Sequence, residues 1–236
     1  MTSRVVYELK DSIATITMDD GKMNALSPGM LSELGAALDR AEAARAVVVL
    51  IGRQGVFSAG FDLQTLRTGG QEASEMFLAG FELSARLLSF PGPVVIACTG
   101  HALAMGVFLL LSGDHRIGAA GPFKLGANEV AIGLTMPFFG CEISRQRLTP
   151  AHFHRAVVNA EIFRPEEAVE AGFVDRLVAP SELPGVARAA ALELAKLDRD
   201  VHTATKLRAR AASLRAIRRA IDEDAVIFRA RAPGAS

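Results

Sequence analysis

Three short stretches of the sequence combine glycine and other small residues with groups that stabilise or move charge. Val56-Phe57-Ser58-Ala59-Gly60-Phe61-Asp62-Leu63 and Gly100-His101-Ala102-Leu103-Ala104-Met105-Gly106 each follow a run of aliphatic residues, at 47–51 and 94–98. Small residues at such turns let a ligand approach the main chain, and a helix beginning at Met105 presents free N–H groups carrying partial positive charge. Two turns of this kind facing each other would make a two-donor anion site. The third stretch, Gly126-Ala127-Asn128-Glu129-Val130-Ala131-Ile132-Gly133, contributes one carboxylate among apolar neighbours. Burial there would raise the Glu129 pKa towards that of a useful base.

Other chemistries lose ground. The chain has no Walker A loop, no G-x-G-x-x-G, no H-E-x-x-H and no G-x-S-x-G elbow. Its two cysteines, Cys98 and Cys141, match no metal spacing and leave a reducing cytoplasm as the default compartment; no metal is expected. Cys98 reads as a small buried hydrophobe. Lys plus Arg and Asp plus Glu are both 26, so no net field draws the protein to nucleic acid or to an anionic membrane, and neither is expected as a partner. The N-terminus lacks the apolar core of a signal peptide. The most apolar run, Ala102 to Leu111, is far short of the roughly 20 residues a membrane span needs.

The elements that must carry the three stretches follow from periodicity. Val5-Tyr7-Leu9 and Ala14-Ile16-Met18 alternate with polar residues around Asp11-Ser12, which predicts a half-buried hairpin. Ser27-Pro28 caps a helix with Leu31, Leu34, Leu38 and Ala41 on one face. The run 47–51 predicts a strand covered on both faces. The same scheme recurs with a helix over 72–89, a buried strand at 94–98 and a buried helix over 105–112, and further strands are predicted at 116–119, 123–126 and 173–178. Residues 184–197 and 201–231 predict Ala-, Leu- and Arg-rich helices, the arginines on solvated faces. The fold class is α/β, with a boundary placed near 179: residues 1–178 form a sheet-containing core and 179–236 a helical C-terminal region.

Several segments together resemble a known family. Phe57-Ser58-Ala59-Gly60-Phe61-Asp62-Leu63 is similar to the F-(S/C/A)-A-G-x-D-(L/I) motif of the crotonase (enoyl-CoA hydratase/isomerase) superfamily, and Pro93 through Asp114 resembles its P-V-I-A…G-x-A-x-G-G-G segment. Asn24-Ala25-Leu26-Ser27, Glu129-Val130-Ala131-Ile132-Gly133, Arg147-Leu148 and Ala168 through Asp175 match further landmarks in the right order, so the likeness covers nearly the whole chain. It implies a spiral of strand–strand–helix units, a C-terminal part used in forming a homotrimer or a hexamer, and coenzyme A thioester substrates with no separate cofactor. Carried over by position, the oxyanion-hole N–H groups belong to Phe61 and Met105, and each such donor is worth about 3 kcal/mol towards an enolate oxyanion. Substrate contacts are expected at Lys22, Ala25, Ala59, Phe108 and Arg231, with Lys22 and Arg231 the candidates for the coenzyme A phosphates.

The departures are informative. Hydratases of the family carry a glutamate two residues after the glycine run that helps activate water; here that position is Phe108, which can neither hold nor deprotonate water. The second family glutamate is kept as Glu129, while Ala104 and Met105 replace two glycines. His101 is read as a packing residue, His115, His152, His154 and His202 show no metal spacing, and Asp62, Asp114 and Asp175 are read as structural. Three functions stand open at this point: a 3-enoyl-CoA to 2-enoyl-CoA isomerase with Glu129 as single base, which the departures favour; an enoyl-CoA hydratase; and a non-catalytic acyl-CoA-binding homologue.

Overall fold

The computed structural model describes residues 3–231. β1 (Val5–Lys10) and β2 (Ile13–Met18) pair antiparallel, joined by Asp11 and Ser12 with φ of 51° and 59°, the twist-matched geometry of a two-residue hairpin turn. β2 continues into a parallel sheet with β3 (Val47–Ile51), β5 (Val94–Cys98), β7 (His115–Ala119) and β9 (Arg176–Val178), so the six-stranded order is β1-β2-β3-β5-β7-β9. A second sheet contains three parallel strands, β4 (Gly55–Ser58), β6 (Gly100–Leu103) and β8 (Leu125–Gly126), in the order β4-β6-β8.

The chain alternates between the two sheets. β3, β5 and β7 each lie in the large sheet and are followed by β4, β6 and β8 in the small one. α2 (Leu63–Thr68) and α3 (Gly70–Ser89) follow β4, and α4 (Met105–Leu111) follows β6. This is the strand–strand–helix spiral. Alternation within β3 explains its continuous aliphatic run: Val48 and Leu50 enter a core shared with α1 (Pro28–Ala43), α3 and α4, whereas Val47, Val49 and Ile51 face the opposite layer. That layer is α8 (Leu183–Leu194), whose Leu183, Ala187 and Ala191 form a fully buried stripe at helical spacing, with alanines small enough to let the helix lie against the sheet. α8 thus lies past the compositional boundary near 179 yet covers one face of the core.

The rest of the chain is helical: α5 (Phe138–Arg145), α6 (Pro150–Val157), α7 (Pro165–Ala171), α9 (Arg199–Ala209) and α10 (Ala211–Arg231). Asp114 ties this part to the core. Its carboxylate accepts from Val94 N (2.8 Å) at the start of β5 and from Lys206 Nζ (2.7 Å) on α9, and pairs with Arg210 at 2.8 Å. Asp175 accepts from the main chain and guanidinium of Arg116. Both aspartates are therefore structural, as the sequence suggested.

Four differences from the sequence reading have local causes. β4 and β6 lie inside stretches read as turns, because strands of four residues that start in glycine and pair across the chain carry no periodicity of their own. α2 is a six-residue helix that Asp62 starts by accepting from Thr65 N at 2.8 Å. The strand read at 173–178 begins at Arg176, since Phe173 donates back to Ala168 O (2.8 Å) to close α7 past Gly172, whose φ is 96°. The single helix read over 201–231 is two, broken at Arg210, whose guanidinium turns inward to Leu88 O (2.8 Å) and Asp114.

Candidate active site

β4, β6 and β8 run parallel and adjacent, so the three chemistry-bearing stretches emerge together from their carboxyl ends, the edge at which parallel sheets present ligand sites. The first turn is held by Asn24, fully buried and with φ of 50°. Its side-chain amide donates to Met18 O (3.0 Å) and Phe57 O (3.1 Å), and its oxygen accepts from Asp20 N (3.0 Å). Asp20 in turn accepts from the main chain at Lys22, Asn24 and Ala25. These N–H groups and Arg53 outweigh partial burial and hold the Asp20 carboxyl below its ordinary value. The loop so fixed lies along the β4 turn: Ala59 N donates to Met23 O (3.0 Å), Leu26 N to Gly60 O (2.8 Å), and Ser58 Oγ to Asn24 O (2.8 Å). Ala25 and Ala59 are thereby brought onto neighbouring strands of chain, both partly exposed.

The β4 and β6 turns approach each other as closely as their small residues allow. A Cβ on Gly60, whose φ is 98°, would lie 2.9 Å from Ala104 Cβ and 3.4 Å from the Met105 nitrogen. A Cβ on Gly106 would lie 2.3 Å from Ser58 O, so α4 can press on β4 only because that residue is glycine. Ala104 turns the chain into α4 with φ 48° and ψ −128°, a conformation that favours glycine, and Ala104 N is fixed by Gly126 O at 3.0 Å. Leu26 bridges to Phe61 through the Gly60 carbonyl, a register that leaves the Phe61 N–H free. Among the described residues neither Phe61 N nor Met105 N donates to a protein acceptor. The Phe61 ring packs over Gly80 of α3, where a Cβ would stand 2.6 Å from the ring.

Glu129 leaves β8 three residues after Gly126 and precedes a single 3-10 turn, Val130–Ile132. It is 8% exposed, and its Oε2 is buried with no hydrogen-bond partner among the described residues. Loss of solvation pushes its pKa up to about 7, opposed only by its own main-chain N–H. The residues after it, Val130 to Thr135, are all exposed, so a buried carboxylate sits behind an open apolar rim.

Phe108 is 1% exposed and meets the Phe139 ring edge-on at 5.9 Å, with its ring edge close against Gly140. It fills the packing beneath the β6 turn. Lys22 is exposed on the Asn24 loop, and its carbonyl accepts from Arg53. α10 ends at Arg231, whose side chain lies outside the described residues. His101 is a packing residue: Nδ1 accepts from Lys124 N (3.1 Å), and its ring meets Phe123 edge-on at 5.5 Å. Among the described residues no cluster of His, Cys, Asp or Glu is arranged to hold a metal ion, and no helix is long and apolar enough to cross a membrane. A groove of about 510 Å³ between α1 and α3, floored by Leu31, Met76 and Leu83, shares no residue with the three turns. One residue the sequence did not single out also reaches this region: Asp224 of α10, 2% exposed, bonded to the main chain at the start of α5.

Comparison with known proteins shows the family and the fold. The family model for enoyl-CoA hydratase/isomerase matches residues 8–232. A Mycobacterium tuberculosis structure described as an enoyl-CoA isomerase is 49% identical, with a TM-score of 0.92 over 96% of this chain and 99% of that one. A second structure of the same protein, described as a probable enoyl-CoA hydratase, is 50% identical over 95% and 96% of the two chains, also at 0.92. Human mitochondrial delta3-delta2-enoyl-CoA isomerase is 27% identical, with a TM-score of 0.88 over 96% of this chain and 91% of that one. Against curated probable enoyl-CoA hydratases of Mycobacterium tuberculosis, identity is 33% over 145 residues, 61% of this chain but only 55% of theirs, so the match spans about half the length of those relatives. With a model match running almost from end to end, the chain belongs to the enoyl-CoA hydratase/isomerase family.

Proposed function

We propose that this protein is an enoyl-CoA isomerase that moves the double bond of a 3-enoyl-CoA to the 2-position. Glu129 takes the proton from C2, and the electron pair of that C–H bond delocalises through the former C3=C4 bond and the thioester carbonyl. The resulting dienolate oxygen is held by the N–H groups of Phe61 and Met105. Glu129 then returns the proton to C4, leaving C2=C3 and no net change in composition. No cofactor beyond the coenzyme A of the substrate takes part.

The observation that carries this reading is Glu129 itself: a buried carboxylate whose Oε2 has no hydrogen-bond partner among the described residues and whose pKa is pushed up to about 7, which suits both accepting and returning a proton at neutral pH. Phe108, buried where a second carboxylate would be needed to handle water, supports an internal proton shuttle over hydration. The mycobacterial isomerase relative at 49% identity supports it further. Ala25 and Ala59 line the thioester and Lys22 meets the coenzyme A phosphates in this reading. In this reading the helical C-terminal region, residues 179–236, forms the contacts of a homotrimer or hexamer, and the protein works in the cytoplasm.

Hydration is the second reading, favoured by the hydratase descriptions of the curated relatives. The two are separated by supplying a 3-enoyl-CoA and, separately, a 2-enoyl-CoA to the purified protein and recording product mass. Isomerisation leaves the mass unchanged and is the expected result; addition of one water to the 2-enoyl-CoA at the higher rate would replace the isomerase by the hydratase. Tight binding of both esters without turnover would identify a non-catalytic acyl-CoA-binding protein.

A further inference from the structure

Glu129 sits on a segment that little else supports. Between Gly126, fixed in β8, and Pro137, the main-chain hydrogen bonds of residues 127–136 among the described residues stay within the segment: Ile132 N donates to Asn128 O and Glu129 O, Gly133 N to Val130 O, and Leu134 N to Glu129 O. Six successive residues of it, 130–135, are exposed. Its geometry therefore depends on its two ends. The first end is held by the small sheet, through Ala104 N to Gly126 O. The second is the start of α5, whose N-cap position is Pro137, a residue with no side chain able to accept the free helix N–H groups.

Asp224 supplies that cap from a distant part of the chain. One carboxylate oxygen accepts from Phe138 N at 3.0 Å and the other from Phe139 N at 2.8 Å. At 2% exposure this carboxylate gives up most of its solvation, and the two N–H donors at a helix N-terminus offset that only in part, so its pKa stays above the ordinary value. The same helix reaches the other wall of the site. Four residues on from Asp224, Phe228 stacks on Phe77 of α3 with ring centres 4.8 Å apart, and Phe77 meets the Phe61 ring edge-on at 4.9 Å. α10 thus reaches the Phe61 ring through Phe77 of α3 and caps the element that ends the Glu129 segment.

We infer that Asp224 is a positioning residue for Glu129, acting through the start of α5, and that α10 clamps the base wall and the donor wall of the site at a fixed separation. The inference rests on the reading of Glu129 as the base. Without the cap, the first turn of α5 frays and the exposed segment loosens. Glu129 then becomes better solvated, and its pKa falls from about 7 towards the ordinary 4.5.

The test compares wild type, Asp224→Ala and Asp224→Asn in isomerisation of a 3-enoyl-CoA, with kcat, KM and the pH profile of kcat/KM, alongside amide hydrogen exchange of residues 127–139. For Asp224→Ala the expected result is a kcat lower by about tenfold or more with KM little changed, since small misplacements of a reacting group are costly. The acid limb moves to lower pH, and exchange at 127–139 is faster than in wild type. Asp224→Asn keeps one acceptor oxygen and is expected to recover most of the wild-type profile; should the alanine variant fail to fold, a smaller limb displacement and faster exchange in Asp224→Asn carry the test. A folded variant with wild-type kcat and an unmoved limb overturns the inference. A loss of activity that follows the folded fraction alone, with the limb in place, overturns it equally. Should the wild type have no acid limb, the base reading fails separately, and unchanged exchange at 127–139 would then overturn the clamp on its own.

Discussion

Replacing Glu129 by glutamine should make the protein more stable at alkaline pH while removing its activity. In wild type the carboxyl is protonated in both folded and unfolded chains well below 4.5, so it adds no pH dependence there. As pH rises from 4.5 to about 7, the unfolded chain releases the proton and the folded one keeps it, so stability falls with pH and levels off above about 7. A rise from 4.5 to about 7 corresponds to about 3 kcal/mol at about 1.4 kcal/mol per pH unit. The 8% exposure of the residue makes this a ceiling. Glutamine does not titrate, so the stability of Glu129→Gln relative to wild type should grow by up to about 3 kcal/mol between pH 4.5 and pH 8. Urea unfolding of both proteins at the two pH values, at one protein concentration, measures this difference. Other shifted carboxyls, Asp20, Glu33 and Glu161 downward and Asp224 upward, are common to both proteins and cancel. A stability difference constant to within about 0.5 kcal/mol across that range would refute the raised pKa and with it the base assignment. The same variant should turn over at least about 100-fold more slowly while binding coenzyme A esters as wild type does.

Three further outcomes follow from the geometry. The kcat/KM for isomerisation should rise with pH through about 7 and then level off, because Glu129 must be ionised to accept the C2 proton; a flat profile from pH 5.5 to 8 would contradict this. Ala104→Gly should raise stability by about 1 kcal/mol in thermal or urea unfolding and keep activity, since Ala104 holds φ 48° and ψ −128° where glycine is unstrained; a loss of stability would show that its methyl packing outweighs the strain. Phe108→Glu should cost several kcal/mol of stability because it buries a carboxylate at a position only 1% exposed, against Phe139 and Gly140; the ratio of hydration to isomerisation in the surviving folded protein tests whether water enters there.

Local features of the sequence determined much of this protein. The aliphatic runs 47–51 and 94–98 require strands buried on both faces, Ser27-Pro28 starts a helix, and the glycines at 60 and 106 mark places where backbone must meet backbone, because these properties depend on residues adjacent in the chain. The order of the motifs sufficed to assign the family. Tertiary structure decided what depends on distant partners. β4 and β6 exist as strands because they pair with each other and β6 pairs with β8, which no run of four residues can announce. Asp224 reads as one charge among many on an Arg-rich helix, and only the fold shows its carboxylate at the start of α5. The pKa of Glu129 is likewise a property of its surroundings: the sequence offers a glutamate between Asn128 and Val130, and the packing around it removes the water that would keep it an ordinary acid.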